Sequence, residues 1–135
     1  VKTPKVYFTD VGLLCYLSGL RDPEHAANGP MAGAIVETAA LSEVVKAAIN
    51  RGDDPQVYFW RTSHGTEVDI VVEHGGRLIP VEVKQSATPR PPMASGLSSF
   101  LSAYPDKADK AWLVHLGDTT LPLSPGIVAV PFAEL

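Results

Sequence analysis

No apolar run in this chain approaches the ~20 residues that a helix needs to cross a bilayer, and no charged-then-apolar stretch stands at its start. The expectation is a cytoplasmic protein with no membrane part. A single cysteine, Cys15, excludes an internal disulfide and fits a reducing compartment. No Cys/His cluster suggests structural zinc. Nothing matches the glycine-rich pattern that cradles nucleotide phosphates, so the chain carries no ATP site of its own. Lys and Arg form no run with interleaved aromatics, and the net charge is −4. Both facts argue against a general nucleic-acid coat protein, which is usually basic. Neither excludes an enzyme whose acidic site holds a metal against phosphate. No internal repeat is visible. An initiating methionine is absent as well: the chain opens on Val1 and goes at once into Lys2-Thr3-Pro4-Lys5, so a piece of a longer protein is expected.

What is present suits one globular domain over residues 1–135, with 45% hydrophobic and 19% charged residues. The most informative stretch is Glu67 to Lys84. Val68, Ile70, Val71 and Val72 predict one strand; Leu78, Ile79, Val81 and Val83 predict a second. Gly75-Gly76 between them suits a tight hairpin, because such a turn needs positive φ. With His74 and Arg77 closing the turn, Asp69 falls opposite Glu82 and Glu67 opposite Lys84. Alternation then puts Glu67, Asp69, Glu82 and Lys84 on one face. Two facing carboxylates repel, and the obvious counter-charges are a divalent cation and Lys84. Pro80 lacks a ladder donor, so either its nitrogen faces an unpaired edge or a bulge sits there.

Elsewhere, Lys5–Thr9 predicts a short strand, and Asp10 caps a helix from Val11 to Leu20. Cys15 lies among leucines as a core thiol. A loop with a solvated His25 covers residues 21–33. A long helix spans Ala34 to Asn50, with Thr38, Ser42, Glu43, Lys46 and Asn50 on one side and Leu41, Val44 and Ala48 on the other. Glu37 sits in the middle of the apolar side, where an unpaired carboxylate is costly. Either the helix terminus tolerates it or it joins the hairpin carboxylates in one site; the second reading is favoured. Gln56–Arg61 is the first of three meandering strands, and His64 and His74 sit in turns as solvated side chains. A proline-rich loop follows Lys84, then a helix from Gly96 to Tyr104 and strands over Ala111–Leu116 and Ile127–Val130. The fold class is α/β (α+β): an α-β-β-β-α-β core with a mixed sheet covered by helices on both faces.

An oxygen-rich set selects Mg²⁺ or Mn²⁺. Asp69, Glu82 and the backbone carbonyl of Val83 are the candidate ligands, with Glu37 holding a metal water or a second ion. Such an ion would polarise a phosphodiester and acidify water. Lys84 would orient that water or stabilise charge on the phosphorane oxygens, which makes Lys84, Glu82 and Asp69 the candidate catalytic residues. Arg61 forks a phosphate or carboxylate, or is an ordinary rim charge. Arg61, Glu67 and Gln85 are the candidate substrate contacts.

Asp69, a gap of twelve residues and Glu82-Val83-Lys84 resemble the PD-(D/E)XK nuclease signature, whose helix glutamate would be Glu37; Val68 stands where that signature has proline. The resemblance is wider. Lys2-Thr3-Pro4-Lys5-Val6-Tyr7-Phe8, Asp10-Val11-Gly12-Leu13-Leu14, Gly33 with Glu37, Tyr58-Phe59-Trp60-Arg61 with Gly65-Thr66-Glu67-Val68-Asp69, and Pro80-Val81-Glu82-Val83-Lys84 together resemble the DUF4143 domain, over nearly the whole chain. The resemblance implies a restriction-endonuclease-like fold placed C-terminal to a P-loop ATPase of the AAA+ kind in a prokaryotic protein. It implies two functional expectations. One is a Mg²⁺-dependent nuclease domain acting on DNA. The other is an inactive nuclease-fold module that binds DNA or a protein partner and regulates the attached ATPase, with Tyr7, Phe8 and the helix from Val11 as candidates for that contact.

Overall fold

The computed structural model describes residues 4–135; Val1, Lys2 and Thr3, with the start of the Lys2–Phe8 motif, lie outside the described residues. Four helices, α1 (Val11–Leu17), α2 (Pro23–Asn28), α3 (Ala32–Asn50) and α4 (Ser95–Ala103), accompany six strands. These are β1 (Gln56–Arg61), β2 (Glu67–His74), β3 (Arg77–Lys84), β4 (Ala111–His115), β5 (Leu121–Ser124) and β6 (Ile127–Pro131). From α3 onward the order begins α-β-β-β-α-β, as expected. The strands form one mixed sheet in the order β1-β2-β3-β4-β6-β5. β3–β4 and β4–β6 pair in parallel and the other neighbours antiparallel. α4 is the crossover that a parallel β3–β4 pair requires.

The sheet is covered on both faces. On one, Leu97 and Phe100 of α4 bury against Val68, Val71 and Leu113. On the other, Ala40 of α3, with Val36 and Leu41, packs over Ile70, Val81, Val83 and Val114. The fold is mixed α+β with a six-stranded sheet flanked by helices.

Several local expectations change. Residues 21–33 hold α2 rather than a loop throughout, because Asp22 accepts the amide of His25 and Pro23 takes the first helical turn. β5 is an additional edge strand, where Pro122 is tolerated. Lys5–Thr9 forms no strand; side chains of α3 hold it instead of a ladder. Thr38 and Ser42, on the side of α3 opposite Leu41 and Val44, are nonetheless buried, since α1 and α2 pack against that helix in addition to the sheet. α1 itself buries no residue, and Cys15 is half-buried rather than in the core.

The hairpin forms in the expected register. Gly75 and Gly76 have φ of 56° and 75°, and His74 pairs with Arg77, running without a shift to Ile70 opposite Val81. Pro80 sits inside this ladder opposite Val71. Leu78, two residues earlier and therefore pointing the same way, donates its amide away from β2, to the Lys107 carbonyl. The Pro80 nitrogen thus faces the β4 side, where pairing begins only at Val81. The proline meets an unpaired edge and needs no bulge.

Candidate functional site

A bulge does exist, one strand away. Tyr58 pairs with Val71 and Trp60 with Val68, so Asp69 and Ile70 of β2 together oppose Phe59 alone. The extra residue breaks alternation: Val68 and Val71 both face α4 while Ile70 faces α3. This corrects the expectation that Glu67, Asp69, Glu82 and Lys84 share one face. The β2–β3 ladder ends at Ile70–Val81, short of the expected Asp69–Glu82 pair. In the gap, the amide of Val83 donates to Asp69 Oδ2 at 3.0 Å, in place of a backbone carbonyl. Bulges re-aim side chains in this way.

On the α3 side of that gap, Asp69 meets the N-terminal segment. Lys5 Nζ lies 3.1 Å from Glu37 Oε1 and 3.7 Å from Asp69 Oδ1. The Tyr7 hydroxyl donates to the same Glu37 oxygen. Lys5 also stands over the Phe59 ring, 5.6 Å from its centroid, at cation–π range. Burial works against the charge on Lys5, but the hydrogen bond to Glu37 and the surrounding carboxylates hold its pKa above the ordinary value. Burial, then the Glu37 carboxylate, pushes the Tyr7 phenol up as well. Burial raises Asp69 despite its Val83 hydrogen bond; Glu37 pushes it further while Lys5 and Lys84 oppose.

On the α4 side lie Glu82 and Lys84, two residues apart on β3 and therefore on one face. Lys84 Nζ is 2.6 Å from Glu82 Oε1. Glu82 Oε2 is buried with no hydrogen-bond partner, close to where α4 begins at Ser95 and Gly96. A carboxylate desolvated in this way favours its proton. Burial first, then the charge of Asp69, carry Glu82 up to about 7 against the pull of Lys84. Burial disfavours the charge on Lys84, yet Glu82 and Asp69 keep its pKa above the usual value. An open, mostly polar cleft of about 360 Å³ fronts this pair, lined by His64, Thr66, Glu67 and Ser95 among others.

The structure therefore brings Asp69, Glu82, Val83 and Lys84 together around the end of the β2–β3 ladder, and Glu37 to Asp69 through Lys5. The other expected contacts have partners of their own. Arg61 Nε lies 3.7 Å from Glu67 Oε2 on the exposed rim, and Gln85 donates to the Ala27 carbonyl of α2 at 2.8 Å. The local sequence does not single out Lys5, which carries the pattern of a strand; only the Lys2–Phe8 motif of the family resemblance points to that segment. His115, buried at the end of β4 beside Lys84, was also missed. Its Nδ1 accepts the Gly117 amide and its Nε2 donates to the Thr119 carbonyl, so it pins the turn after β4.

The donor set bears on a divalent ion in two ways. The partnerless Oε2 of Glu82 and the carboxylate of Asp69 are hard oxygen donors of the kind Mg²⁺ and Mn²⁺ prefer. Yet among the described residues no three His, Cys, Asp or Glu side chains form a group that could hold one ion, and Glu37 is taken by Lys5 and Tyr7. Any ion here would therefore draw on two carboxylates from opposite sides of the gap, with backbone or water, and not on three carboxylates. No helix among the described residues is long and apolar enough to cross a membrane.

Residues 32–135 match the profile of a family described as "Domain of unknown function (DUF4143)". The uncharacterized protein Mb2031c of Mycobacterium bovis and the uncharacterized protein Rv2008c of Mycobacterium tuberculosis are each 34% identical to this chain over 99% of its length. The chain spans 29% of the length of these relatives. No solved structure matches it.

Proposed function

The chain belongs to the DUF4143 family, and from that membership and the site's geometry we propose that it is a nuclease-like domain acting on DNA phosphodiesters with Mg²⁺ or Mn²⁺, attached to a P-loop ATPase in a longer protein. The observation that carries this reading is buried Glu82, with one oxygen free and the other on Lys84, beside a re-aimed Asp69 at the point where two strands part. Asp69, Glu82 and the Val83 carbonyl would hold the ion, which supplies phosphate polarisation and acidified water. Lys84, held above its usual pKa, stays protonated at neutral pH. It therefore acts on the phosphate as a charged donor rather than as a base. Thr66 and Ser95 offer the cleft further hydroxyl donors. Glu82 gains its charge only near pH 7, so ion binding is coupled to proton release there.

The test is a plasmid-nicking assay with Mn²⁺, Mg²⁺ or chelator, run beside the Lys84→Ala variant. Metal-dependent nicking by the parent and its loss in the variant support the reading. Metal binding without cleavage of any DNA tested would move it to the second reading, the regulatory module without nuclease activity. One observation favours that alternative: Lys5 already compensates Glu37 and Asp69 without a metal.

A further inference from the structure

The acid site has a lysine on each flank, and the two are held differently. Lys84 belongs to β3 and is fixed by the sheet. Lys5 belongs to a segment, Pro4–Thr9, whose backbone makes no backbone–backbone hydrogen bond among the described residues. Its attachments to α3 and β2 are made through side chains. Lys5 reaches Glu37 and Asp69, Tyr7 reaches Glu37, and Ser42 of α3 donates to the Thr9 carbonyl at 2.8 Å. The Lys5 side chain is less than a third exposed. It bridges two carboxylates from different elements that share no other partner, with the Phe59 ring as a floor. That is a built cation seat, and a segment of this same chain fills it.

We propose that Pro4–Thr9 is an intramolecular ligand of the acid site, with the Lys5 ammonium neutralising Asp69, a carboxylate the ion would also draw on, and holding Glu37 to itself, so that strap docking and ion binding compete. The inference rests on the metal-site reading above. It adds that the site as folded is closed to its ion by one positive charge. A dication brings a larger charge to the same oxygens and competes on that basis. Undocking exposes Lys5, Tyr7 and Thr9 together, so occupancy of the site is reported at the start of the domain. Whatever holds the strap away from α3 favours the ion by the same amount that the ion favours release.

The test uses the 135-residue chain and Mn²⁺ alone as the probe, in two arms. In the first, Mn²⁺ affinity is measured by calorimetry for the parent and for Lys5→Met, which keeps the apolar stem and removes the charge. The expected result is about tenfold tighter binding in Lys5→Met, the effect of removing one charge-assisted hydrogen bond that the ion otherwise has to break. In the second, the parent is briefly acetylated with and without Mn²⁺ and Lys5 modification is read by mass spectrometry, with exposed Lys107 and Lys110 as internal references. Mn²⁺ should raise modification of Lys5 alone. Equal affinity of parent and Lys5→Met, or weaker binding by the variant, overturns the strap while leaving the metal site standing. If neither protein binds Mn²⁺, the metal-site reading falls and the strap falls with it. Should Lys5→Met fail to fold, the acetylation arm decides by itself: Lys5 protection unchanged at Mn²⁺ concentrations that saturate the parent refutes the proposal.

Discussion

In the metal-free protein, Glu82→Gln should remove most of the response of stability to pH. Burial and the charge of Asp69 raise Glu82 from 4.5 to about 7. The folded state therefore keeps a proton that the unfolded state has already lost throughout the window between those values. With more protons bound in the native state, the slope of unfolding free energy against pH is negative. The contribution is full below about 4.5 and is lost as pH rises through about 7. At about 1.4 kcal/mol per tenfold change in proton affinity, the whole shift corresponds to about 3 kcal/mol. Glu82 is buried, so solvent screening removes little of this. Between pH 5 and 8 the parent should lose about 2–3 kcal/mol, or roughly 6–10 °C of melting temperature for a domain of this size. Burial raises Asp69 too, and it adds loss of the same sign. Glu82→Gln removes the titration and should flatten most of the slope, leaving the variant more stable than the parent at pH 8 and close to it at pH 5. Urea unfolding in EDTA at half-unit steps of pH measures both curves. A parent whose stability is flat or rises from pH 5 to 8 refutes the reasoning, and so does a variant with the parent's slope.

Asp69→Asn keeps an oxygen for the Val83 amide and removes a charge that burial disfavours, so the metal-free fold should stay within about 1 kcal/mol of the parent. Its Mn²⁺ affinity should fall at least tenfold in calorimetry; unchanged affinity would exclude Asp69 as a ligand. Lys84→Ala frees Glu82 to hold its proton to higher pH, since Lys84 is what opposes the rise. Mn²⁺ binding by that variant should therefore weaken at pH 7 and recover by pH 8.5, while nicking stays lost at both. Gly96→Ala should destabilise by about 1–3 kcal/mol, because its new Cβ would lie 2.4 Å from the Glu67 carbonyl; a neutral urea midpoint would mean that α4 shifts freely against β2.

The hairpin was legible in the sequence because Gly75-Gly76 permits few turns and each turn dictates a register. The two-faced sheet was legible because the order of elements around α3 and α4 leaves few other ways to bury them. The bulge at Asp69–Ile70 was not. Val68-Asp69-Ile70-Val71 carries no glycine or proline to mark an extra residue, and its cause lies in pairing with β1, which no local pattern encodes. Simple alternation through this stretch puts the carboxylates on one face, whereas the extra residue turns Asp69 to the other. Lys5 was missed for a related reason. A lysine in an aromatic, β-branched stretch has the local signature of a strand, whereas its role depends on Glu37 and Asp69, far along the chain. α2 is not legible because a six-residue helix shows no clear periodicity, and Asp22-Pro23 suits a loop as well as a capped helix start.

Pro80 carries a further consequence. β3 changes partner type partway along its length, antiparallel to β2 from Arg77 and parallel to β4 from Val81. A parallel ladder can slip by two residues without turning any side chain to the wrong face, so hydrophobic patterning alone does not forbid that error. Sliding β4 two places toward the hairpin would set one of its carbonyls against the Pro80 nitrogen, which has no hydrogen to give. The imino acid thus serves as a stop that fixes the phase of the parallel half of the sheet relative to the antiparallel half. Because Glu82 and Lys84 lie immediately beyond it, the same stop sets which residues of β4 stand beside them, and it does so without touching either one.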